Sequence, residues 1–278
     1  MRTKWAAFLI FCAYVMALAA LTAPARALED ARVRLPIVMY HHVSADKSRA
    51  GDYVVTPETL EADLKYLSEH GYTAISAREL AAWSRGEGEL PDRPVMITFD
   101  DAQLSFLIYA LPLLEKYGMR AVLAVVGGYA DEYTSSGDTN VNYAYMSWDA
   151  VAEAAASGRV EIASHTQSMH DASGARHGCM INKGEDKAAY AAALNADFAQ
   201  VEASIERAAG EAPTVFAFPF GFACGEAMEV LYRRGYTVAF TCEDRVNALS
   251  GERAELMRLG RFNRASGLSS EEFFSRWE

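Results

Sequence analysis

The chain has 278 residues, of which 51% are hydrophobic, and its formal net charge is −11 at neutral pH. This length suits one large α/β domain with a full core behind a short leader. The acidic balance argues against nucleic acid and anionic membrane surfaces as partners. It fits an exported protein that acts on a neutral or cationic polymer.

The first 27 residues have the pattern of a secretory leader. A basic start at Arg2 and Lys4 precedes an uncharged apolar run, and Ala27 closes a small-x-small cleavage pattern. We therefore expect a signal peptide over residues 1–27 and one domain over residues 28–278, exported to the periplasm or the medium. The apolar run is long for a signal peptide, so an uncleaved N-terminal anchor is the alternative. No second apolar stretch of spanning length follows, so we expect no membrane association after cleavage.

Short apolar strands alternate with helices along the rest of the chain. The predicted strands cover residues 35–40, 94–101, 121–127, 160–165, 214–221, 237–242 and 256–262. The predicted helices cover residues 57–70, 77–84, 104–117, 148–156, 187–209, 226–234 and 270–277. The first of these helices has an N-cap at Thr56 and a stop at Gly71. Strands separated mostly by helices predict a parallel sheet that closes, or nearly closes, into a barrel.

Three cysteines, Cys179, Cys224 and Cys242, follow the leader. Cys224 and Cys242 lie just past two predicted neighbouring strands. A disulfide between them in an oxidising compartment is one interpretation, and three unpaired thiols are the other.

Two histidines, His165 and His170, stand five residues apart in the stretch SHTQSMH. On a regular helix this spacing points the rings about 140° apart, and on a strand it points them to opposite faces. The rings can converge only if one residue ends a strand and the other lies in the loop beyond it. Parallel α/β folds carry their chemistry at such strand ends.

Other titratable side chains end two more predicted strands, since His41 and His42 follow the first strand while Asp100 and Asp101 end the second. In a parallel sheet these groups share one rim with the histidines of SHTQSMH. Two imidazoles and one carboxylate are a common ligand set for a divalent metal that keeps open positions. A second carboxylate then remains free as a general base. A metal acidifies water and polarises a carbonyl, so the set favours hydrolysis of an amide or ester. The alternative is that each residue has an ordinary structural role. Paired acids at strand ends commonly cap the next helix, and single histidines commonly form hydrogen bonds.

Three motifs, ITFDD (97–101), SHTQSMH (164–170) and FAFPFG (216–221), resemble those of the polysaccharide deacetylases, the NodB-like carbohydrate esterases. Four residues separate the two histidines, and a long insert follows His170. Both features resemble those of the family branch that includes deacetylases of poly-β-1,6-N-acetylglucosamine. The resemblance covers nearly the whole chain after the leader. It implies an α/β fold of the distorted (β/α)7-type barrel kind, in agreement with the strand count.

The resemblance also implies roles for particular residues. Asp101, His165 and His170 would bind one divalent metal ion, usually zinc but other transition metals in some members. Asp100 would be the catalytic base, and the backbone N–H of Phe220 would help to hold the oxyanion. The implied activity is metal-dependent N-deacetylation of an N-acetylated polysaccharide, such as poly-N-acetylglucosamine, peptidoglycan or a chitin-like oligomer.

The sequence departs from the commoner family pattern in two places. The third motif usually begins with an arginine that orients the base, but this region reads Phe216–Ala217–Phe218. The usual C-terminal histidine, a general acid, is missing because no histidine follows His177. The resemblance to the poly-N-acetylglucosamine branch makes His41 the expected acid. His42 should point the other way on a strand, and His177 lies in a polar loop.

Two other functions stay open. The same site could serve an amidohydrolase or esterase with a different small acyl substrate, or the chain could be an inactive carbohydrate-binding relative. A wide groove lined by aromatic side chains would favour a polymer, and the candidates for its wall are Tyr109, Tyr129, Tyr133, Tyr143, Tyr145 and Trp148. The sequence leaves open which polysaccharide, which metal and which oligomeric state apply.

Overall fold

The computed structural model describes residues 32–174 and 176–277, so the predicted leader lies outside the described residues. The strands are β1 (Val33–Leu35), β2 (Ile37–Tyr40), β3 (His42–Val43), β4 (Val54–Val55), β5 (Thr73–Ala74), β6 (Pro94–Phe99), β7 (Ala121–Val125), β8 (Val160–Ser164), β9 (Val215–Ala217), β10 (Val238–Phe240), β11 (Asn247–Leu249) and β12 (Phe262–Asn263). The α-helices are α1 (Pro57–Glu69), α2 (Ala77–Ser84), α3 (Leu111–Lys116), α4 (Gly127–Ser136), α5 (Trp148–Ala156), α6 (Lys187–Ala209), α7 (Gly225–Arg233) and α8 (Ser270–Phe274). None of the helices in these two ranges combines the length and apolar character that spanning a bilayer requires.

A parallel sheet in the order β10-β9-β8-β7-β6-β2-β12 forms the centre of the protein. The strands are nearly level at their carboxyl ends. Tyr40 of β2 pairs with Phe99 of β6, and Ser164 of β8 pairs with Phe216 of β9. The loops after these four strands therefore meet at one rim, as the sequence predicted.

The chain leading into β12 joins the two edges of this sheet. Leu259 pairs in parallel with Phe240 of β10, and Phe262 pairs with Val38 of β2. The sheet thus curls round on itself with helices packed outside it. The predicted distorted (β/α)7-type barrel is confirmed in this form.

Local sequence explains how the first helix forms and why it packs against the barrel. The Thr56 side chain accepts a hydrogen bond from the backbone of Thr59, and a proline occupies the first turn. Leu60, Leu64 and Leu67 lie on one face and are fully buried. They belong to the same apolar cluster as alternate residues of β2, β6 and β7, namely Val38, Ile97 and Leu123. The intervening strand residues belong to a second cluster, so both faces of the sheet are covered.

Several segments differ from the predicted elements. The strand predicted over 214–221 ends at Ala217 and is followed by a 3-10 turn, Pro219–Gly221. A strand was predicted over 256–262. The structure instead has a 3-10 helix over Arg253–Arg258, and the strand covers only Phe262–Asn263. The helix predicted over 104–117 opens with a π-helical segment, Phe106–Ala110. Helix α4 was not predicted, because it begins with two glycines and is rich in residues of modest helix propensity.

All three cysteines of the described residues are free. Cys224 Sγ lies 3.3 Å from the hydroxyl of Tyr190, whereas Cys242 Sγ lies 3.9 Å from Nη2 of Arg261. Of the two interpretations that the sequence left open, the structure has the unpaired thiols and not the Cys224–Cys242 disulfide.

Candidate metal centre and catalytic site

The two carboxylates that follow β6 line the same cavity because the backbone reverses there. Asp101 has a φ of 69° and Ala102 a φ of 50°, both in the left-handed region that residues with a side chain rarely adopt. In a continuing strand, Asp100 and Asp101 would point to opposite faces. The backbone N–H of Met146 donates to the carbonyl of Ala102 at 2.8 Å, which helps to hold the reversal. Strained backbone of this kind persists where the surrounding structure over-determines it, commonly at functional sites.

A tight turn after β8 brings His165 and His170 together despite their odd spacing. The backbone N–H groups of Gln167 and Ser168 each donate to the carboxylate of Asp197, in α6, at 2.8 Å. The two imidazole ring centroids lie 4.9 Å apart. Helix α6 thus holds the loop that lets the two imidazole rings converge.

The start of α4 supports the same turn from the other side. The N–H of Gly127 donates to the carbonyl of Thr166 at 2.9 Å, and that of Gly128 to the carbonyl of Gln167 at 2.7 Å. A Cβ on Gly128 would lie 2.8 Å from that carbonyl oxygen, which is too close for any other residue. Thr166 itself has a φ of 74°.

Asp101, His165 and His170 form one cluster whose ligand atoms all lie within 4.8 Å of one another. Asp101 Oδ1 is 3.3 Å from His170 Nε2 and 3.7 Å from His165 Nε2. Each imidazole is oriented through its other nitrogen, since His165 Nδ1 is 2.7 Å from the carbonyl of Ala217 and His170 Nδ1 is 3.3 Å from the hydroxyl of Tyr129. Asp101 Oδ1 is buried without a hydrogen-bond partner among the described residues. This donor set fits a divalent ion such as zinc.

Burial dominates the pKa shifts of the three side chains in this cluster. Burial raises the pKa of Asp101 to about 6, against the attraction of His165. Burial lowers the pKa of both His165 and His170, which keeps the imidazoles in the neutral form that binds metals. A cation among these three side chains would favour the ionised carboxylate.

Asp100 forms an ion pair with Arg261, a residue that was not predicted from the sequence. Its Nη1 and Nη2 donate to the two carboxylate oxygens at 2.7 and 2.8 Å, and both side chains are buried. Burial alone would raise the pKa of Asp100. The charge and hydrogen bonds of Arg261, together with His165 and His41, outweigh burial and hold that pKa below its usual range. The guanidinium that is missing from the stretch Phe216–Ala217–Phe218 is thus supplied beside Asp100 by Arg261. The available signal was an arginine between Gly260 and Phe262 in a predicted buried strand.

His41 follows β2 and lines the same cavity as Asp100. Its Nδ1 is buried without a hydrogen-bond partner among the described residues. Burial lowers the pKa of His41, and the negative charge of Asp100 opposes that shift. The prediction that His42 points the other way is wrong, because His42 lines the same cavity, where its Nδ1 is 3.1 Å from the hydroxyl of Ser105. His177 does not line the cavity.

Phe220 lies in the tight turn after β9, with a φ of 58°. Its ring centroid is 4.6 Å from that of His170. All four non-glycine residues with positive φ in the described ranges lie in the three segments that build this site: Asp101, Ala102, Thr166 and Phe220.

The cavity has a volume of about 700 Å³ and contains every predicted catalytic residue and metal ligand in its lining. Two of the six aromatic side chains predicted for a groove wall also line it, namely Tyr143 and Tyr145. The remaining four pack against Tyr145 or the core: Tyr109, Tyr129, Tyr133 and Trp148.

Sequence comparisons relate the chain to known deacetylases. A family model of polysaccharide deacetylases matches residues 87–239. The poly-β-1,6-N-acetyl-D-glucosamine N-deacetylase of Escherichia coli (strain K12) is 30% identical over 224 residues, covering 74% of this chain and 33% of the relative. The enzyme of the same name from Staphylococcus aureus (strain MRSA252) is 24% identical over 194 residues, covering 70% and 63%. This chain therefore spans about a third of the length of the E. coli relative.

Solved structures share the fold. The de-N-acetylase from Aggregatibacter actinomycetemcomitans superposes with a TM-score of 0.73 at 24% identity, over 87% of this chain and 100% of that one. IcaB from Ammonifex degensii superposes with a TM-score of 0.70 at 26% identity, over 84% and 92%. The region matched by the family model contains all three strand-end motifs. The chain therefore belongs to the polysaccharide deacetylase family.

Proposed function

We propose that this protein is a divalent-metal-dependent hydrolase that removes acetyl groups from the N-acetylated sugars of a polysaccharide. One observation carries the proposal: the cluster of Asp101, His165 and His170 lies in one open cavity beside a second, separately held carboxylate, Asp100. The names of the relatives favour poly-β-1,6-N-acetylglucosamine as the polymer. The predicted leader would carry the protein to the periplasm or the medium, where such polymers lie.

The metal would be held by Asp101, His165 and His170, with zinc the expected ion because the donor set contains two imidazoles. A bound divalent cation supplies Lewis-acid chemistry that acidifies water and polarises a carbonyl. The buried, unpartnered Oδ1 of Asp101 supports this assignment.

Two groups of this chain would move the protons. Asp100 accepts a proton from the attacking water as the water oxygen bonds to the acetyl carbon. Arg261 keeps that carboxylate ionised and fixes its orientation. His41 donates a proton to the sugar nitrogen as the C–N bond breaks, so acetate and a free amine are released. Burial disfavours the protonated form of His41, and the negative charge of Asp100 favours it. The backbone N–H of Phe220 is the proposed donor to the oxyanion.

The test is acetate release by the full-length protein from three substrates: β-1,6-linked and β-1,4-linked N-acetylglucosamine oligomers, and peptidoglycan. We expect release from the β-1,6 oligomers, loss of activity after chelation and recovery on adding zinc. Hydrolysis of simple aryl acetates alone would favour the small-acyl alternative. Binding to the oligomers without acetate release would favour the inactive relative.

Two substitutions separate the base from the metal ligands. Asp100→Asn should keep a stoichiometric divalent ion and lose at least about 10²-fold in kcat, because the base is removed while the ligands remain. His165→Ala should lose both the ion and the activity. Metal content and acetate release measure these effects, and His70→Ala, which alters an exposed histidine, is the matched control. An Asp100→Asn variant with wild-type kcat would show that another group is the base.

A further inference from the structure

The turn that carries the proposed oxyanion donor has an unusual backbone conformation. This turn, Pro219–Gly221, follows β9 and is here called the oxyanion turn. It contains two consecutive residues with positive φ, 58° at Phe220 and 73° at Gly221. The N–H of Phe222 donates to the carbonyl of Pro219 at 3.1 Å. A residue with a side chain keeps such a φ only where the surrounding structure holds it. The contacts around the oxyanion turn therefore decide where the N–H of Phe220 points.

The chain after β10 approaches the oxyanion turn so closely that only glycine fits at one position. A Cβ on Gly221 would lie 2.6 Å from the backbone nitrogen of Cys242 and 2.7 Å from its Cβ, closer than side-chain carbons pack in proteins. The N–H of Phe218 donates to the carbonyl of Phe240 at 3.0 Å, so the two chains run side by side up to this contact. Gly221 thus rests directly on the backbone of Cys242.

A second close contact comes from residues 176–186, the part of the insert that precedes α6. Gly178, in this segment, has a φ of 53°, and a Cβ on it would lie 3.2 Å from the carbonyl oxygen of Pro219. The N–H of Gly178 donates to the carbonyl of Asp171 at 3.0 Å. Asp171 directly follows His170. The segment therefore contacts the oxyanion turn from a point that is also joined to the loop of a proposed metal ligand.

Interactions within the segment and with α6 hold Gly178 at this contact. Arg176 Nη1 donates to Glu185 Oε2 at 2.8 Å. The hydroxyl of Tyr190, in α6, donates to the carbonyl of Cys179 at 2.5 Å, and both of these residues are buried. The backbone beside Gly178 is therefore held in place before a substrate binds, which is what a preorganised site requires.

We infer that Gly178 and Gly221 are positioning residues, which hold the oxyanion turn so that the N–H of Phe220 meets the developing oxyanion. This inference rests on the proposed deacetylase function and extends it to two residues that do not line the cavity. An oxyanion donor acts only within hydrogen-bond distance of the point where charge develops, and losing one typically lowers kcat by about 10²- to 10³-fold. Displacing the turn should therefore lower kcat and leave KM nearly unchanged.

The first test adds a methyl group at Gly178 and at a matched glycine. Gly178→Ala should lower kcat about tenfold and keep KM within about twofold, because the methyl group displaces the carbonyl of Pro219. Metal content should stay the same. Gly184→Ala is the control, since Gly184 lies in the same segment with a φ of 78° but a Cβ there would meet nothing within 4 Å. It imposes a similar backbone strain without the contact, so kcat should stay within about twofold of wild type.

Gly221→Ala is the stronger form of the same test. Its methyl group would meet the backbone of Cys242, which cannot swing aside as a flexible side chain can. We expect kcat to fall about 100-fold, as in the loss of a donor. Gly235→Ala is its control, because Gly235 has a φ of 91° and a Cβ there would meet nothing within 4 Å. If Gly221→Ala does not fold, the milder Gly178→Ala decides the outcome.

Binding of a tetrahedral anion provides a readout that a general loss of stability would not move. The probe is a β-1,6-linked glucosamine trimer that carries a methylphosphonamidate in place of one acetamido group, because its anionic tetrahedral centre resembles the intermediate. Gly178→Ala should bind this probe about tenfold more weakly than Gly184→Ala does, in parallel with kcat. Calorimetric titration measures the affinity.

Equal kcat in Gly178→Ala and Gly184→Ala, or equal affinity for the probe, would overturn the inference. Loss of the metal ion in Gly178→Ala would also overturn it, because the segment would then act on the metal ligands and not on the oxyanion turn. These outcomes leave the deacetylase proposal intact, since the wild type still releases acetate. Absence of acetate release by the wild type would reject the proposed function itself, and the inference with it.

Discussion

Asp100 and Arg261 form an ion pair that is withdrawn from solvent, and each charge depends on the other. Arg261 also donates from Nε to the carbonyl of Thr241 at 3.0 Å and from Nη1 to the hydroxyl of Thr98 at 3.2 Å. All three nitrogens of the guanidinium thus donate hydrogen bonds. A buried charge usually needs such hydrogen bonds and a charged partner. Removing one partner of such a pair typically costs about 3 to 5 kcal/mol, because the other charge stays buried and unpaired.

Replacing Arg261 tests whether it positions the base. Arg261→Lys keeps the charge but not the planar fork, so we expect kcat to fall about 10- to 100-fold with KM and metal content nearly unchanged. Arg261→Gln should in addition destabilise the fold. Steady-state kinetics and metal analysis measure the first effect, with Arg258→Lys as the control because its ion pair with Glu243 is exposed. An unchanged kcat in Arg261→Lys would rule out a positioning role.

At the scale of elements, helix α6 organises the proposed metal site without contributing one of the three proposed ligands. Its Asp197 receives two backbone N–H groups from the turn between His165 and His170. Burial raises the pKa of Asp197, and the two backbone hydrogen bonds oppose that shift. The helix thus acts on His165 and His170, the proposed ligands, through the backbone that carries them.

Asp197→Ala should weaken metal binding by about 10- to 100-fold, because loss of an orienting partner typically has that effect. It should also lower the free energy of unfolding by about 1 to 3 kcal/mol, since two N–H groups lose their acceptor. Metal titration and chemical denaturation measure both quantities. Glu206→Ala, on an exposed face of the same helix, is the control, and equal metal affinity in the two variants would contradict the role given to Asp197.

Strand β8 also fixes the start of helix α2. Glu161 accepts hydrogen bonds from the backbone N–H of Ala77 at 2.8 Å and of Arg78 at 3.3 Å. Burial raises the pKa of Glu161, and the hydrogen bond from Arg78 opposes this. A folded-state pKa above the ordinary value of 4.5 means that the folded protein binds this proton more tightly than the unfolded chain does.

Glu161→Gln should therefore change how stability depends on pH. The contribution of Glu161 is fully present below pH 4.5 and is lost as the pH rises through its higher folded-state pKa. Compared with the glutamine variant, the wild type should lose unfolding free energy between pH 4.5 and neutral pH. Urea denaturation at a series of pH values measures the difference. A difference that stays constant with pH would contradict the raised pKa.

For the whole molecule, a second buried ion pair fixes the point at which the barrel closes. Arg264 donates to both carboxylate oxygens of Asp63 at 2.8 and 3.1 Å. The hydroxyl of Tyr40 donates to the same carboxylate at 2.9 Å, and that of Ser270 at 2.7 Å. These contacts tie together β2, helix α1, the segment after β12 and the start of α8.

Asp63→Asn should lower the free energy of unfolding by about 3 to 5 kcal/mol, because Arg264 would remain charged and buried. The double variant Asp63→Asn with Arg264→Met should recover part of that loss. Glu69→Gln, which alters an exposed ion pair on the same helix, should change stability by less than about 1 kcal/mol. Chemical denaturation measures all three, and a single variant as stable as its exposed control would show that the pair does not hold the closure.

Features that depend on neighbours in the chain could be predicted from local patterns of residues. Apolar runs, the Thr56 cap and the stop at Gly71 predicted strands and helices because these signals act over a few residues. Parallel strands bring their carboxyl ends to one rim, so the acids and histidines at three strand ends were predicted to share a cavity. The structure brings Asp100, Asp101, His165 and His170 into one cavity lining.

Features that depend on distant parts of the chain became visible once the chain was folded. Arg261 meets Asp100 across 161 residues of sequence, a contact that no local pattern specifies. The left-handed backbone of Asp101 and Thr166 is tolerated because other segments hold it in place, and no propensity predicts it. Cys224 and Cys242 lie past neighbouring strands yet remain free, because a disulfide requires a particular approach of two side chains in space. Local conformational preferences determine where helices and strands form, whereas packing and burial determine which distant side chains come into contact.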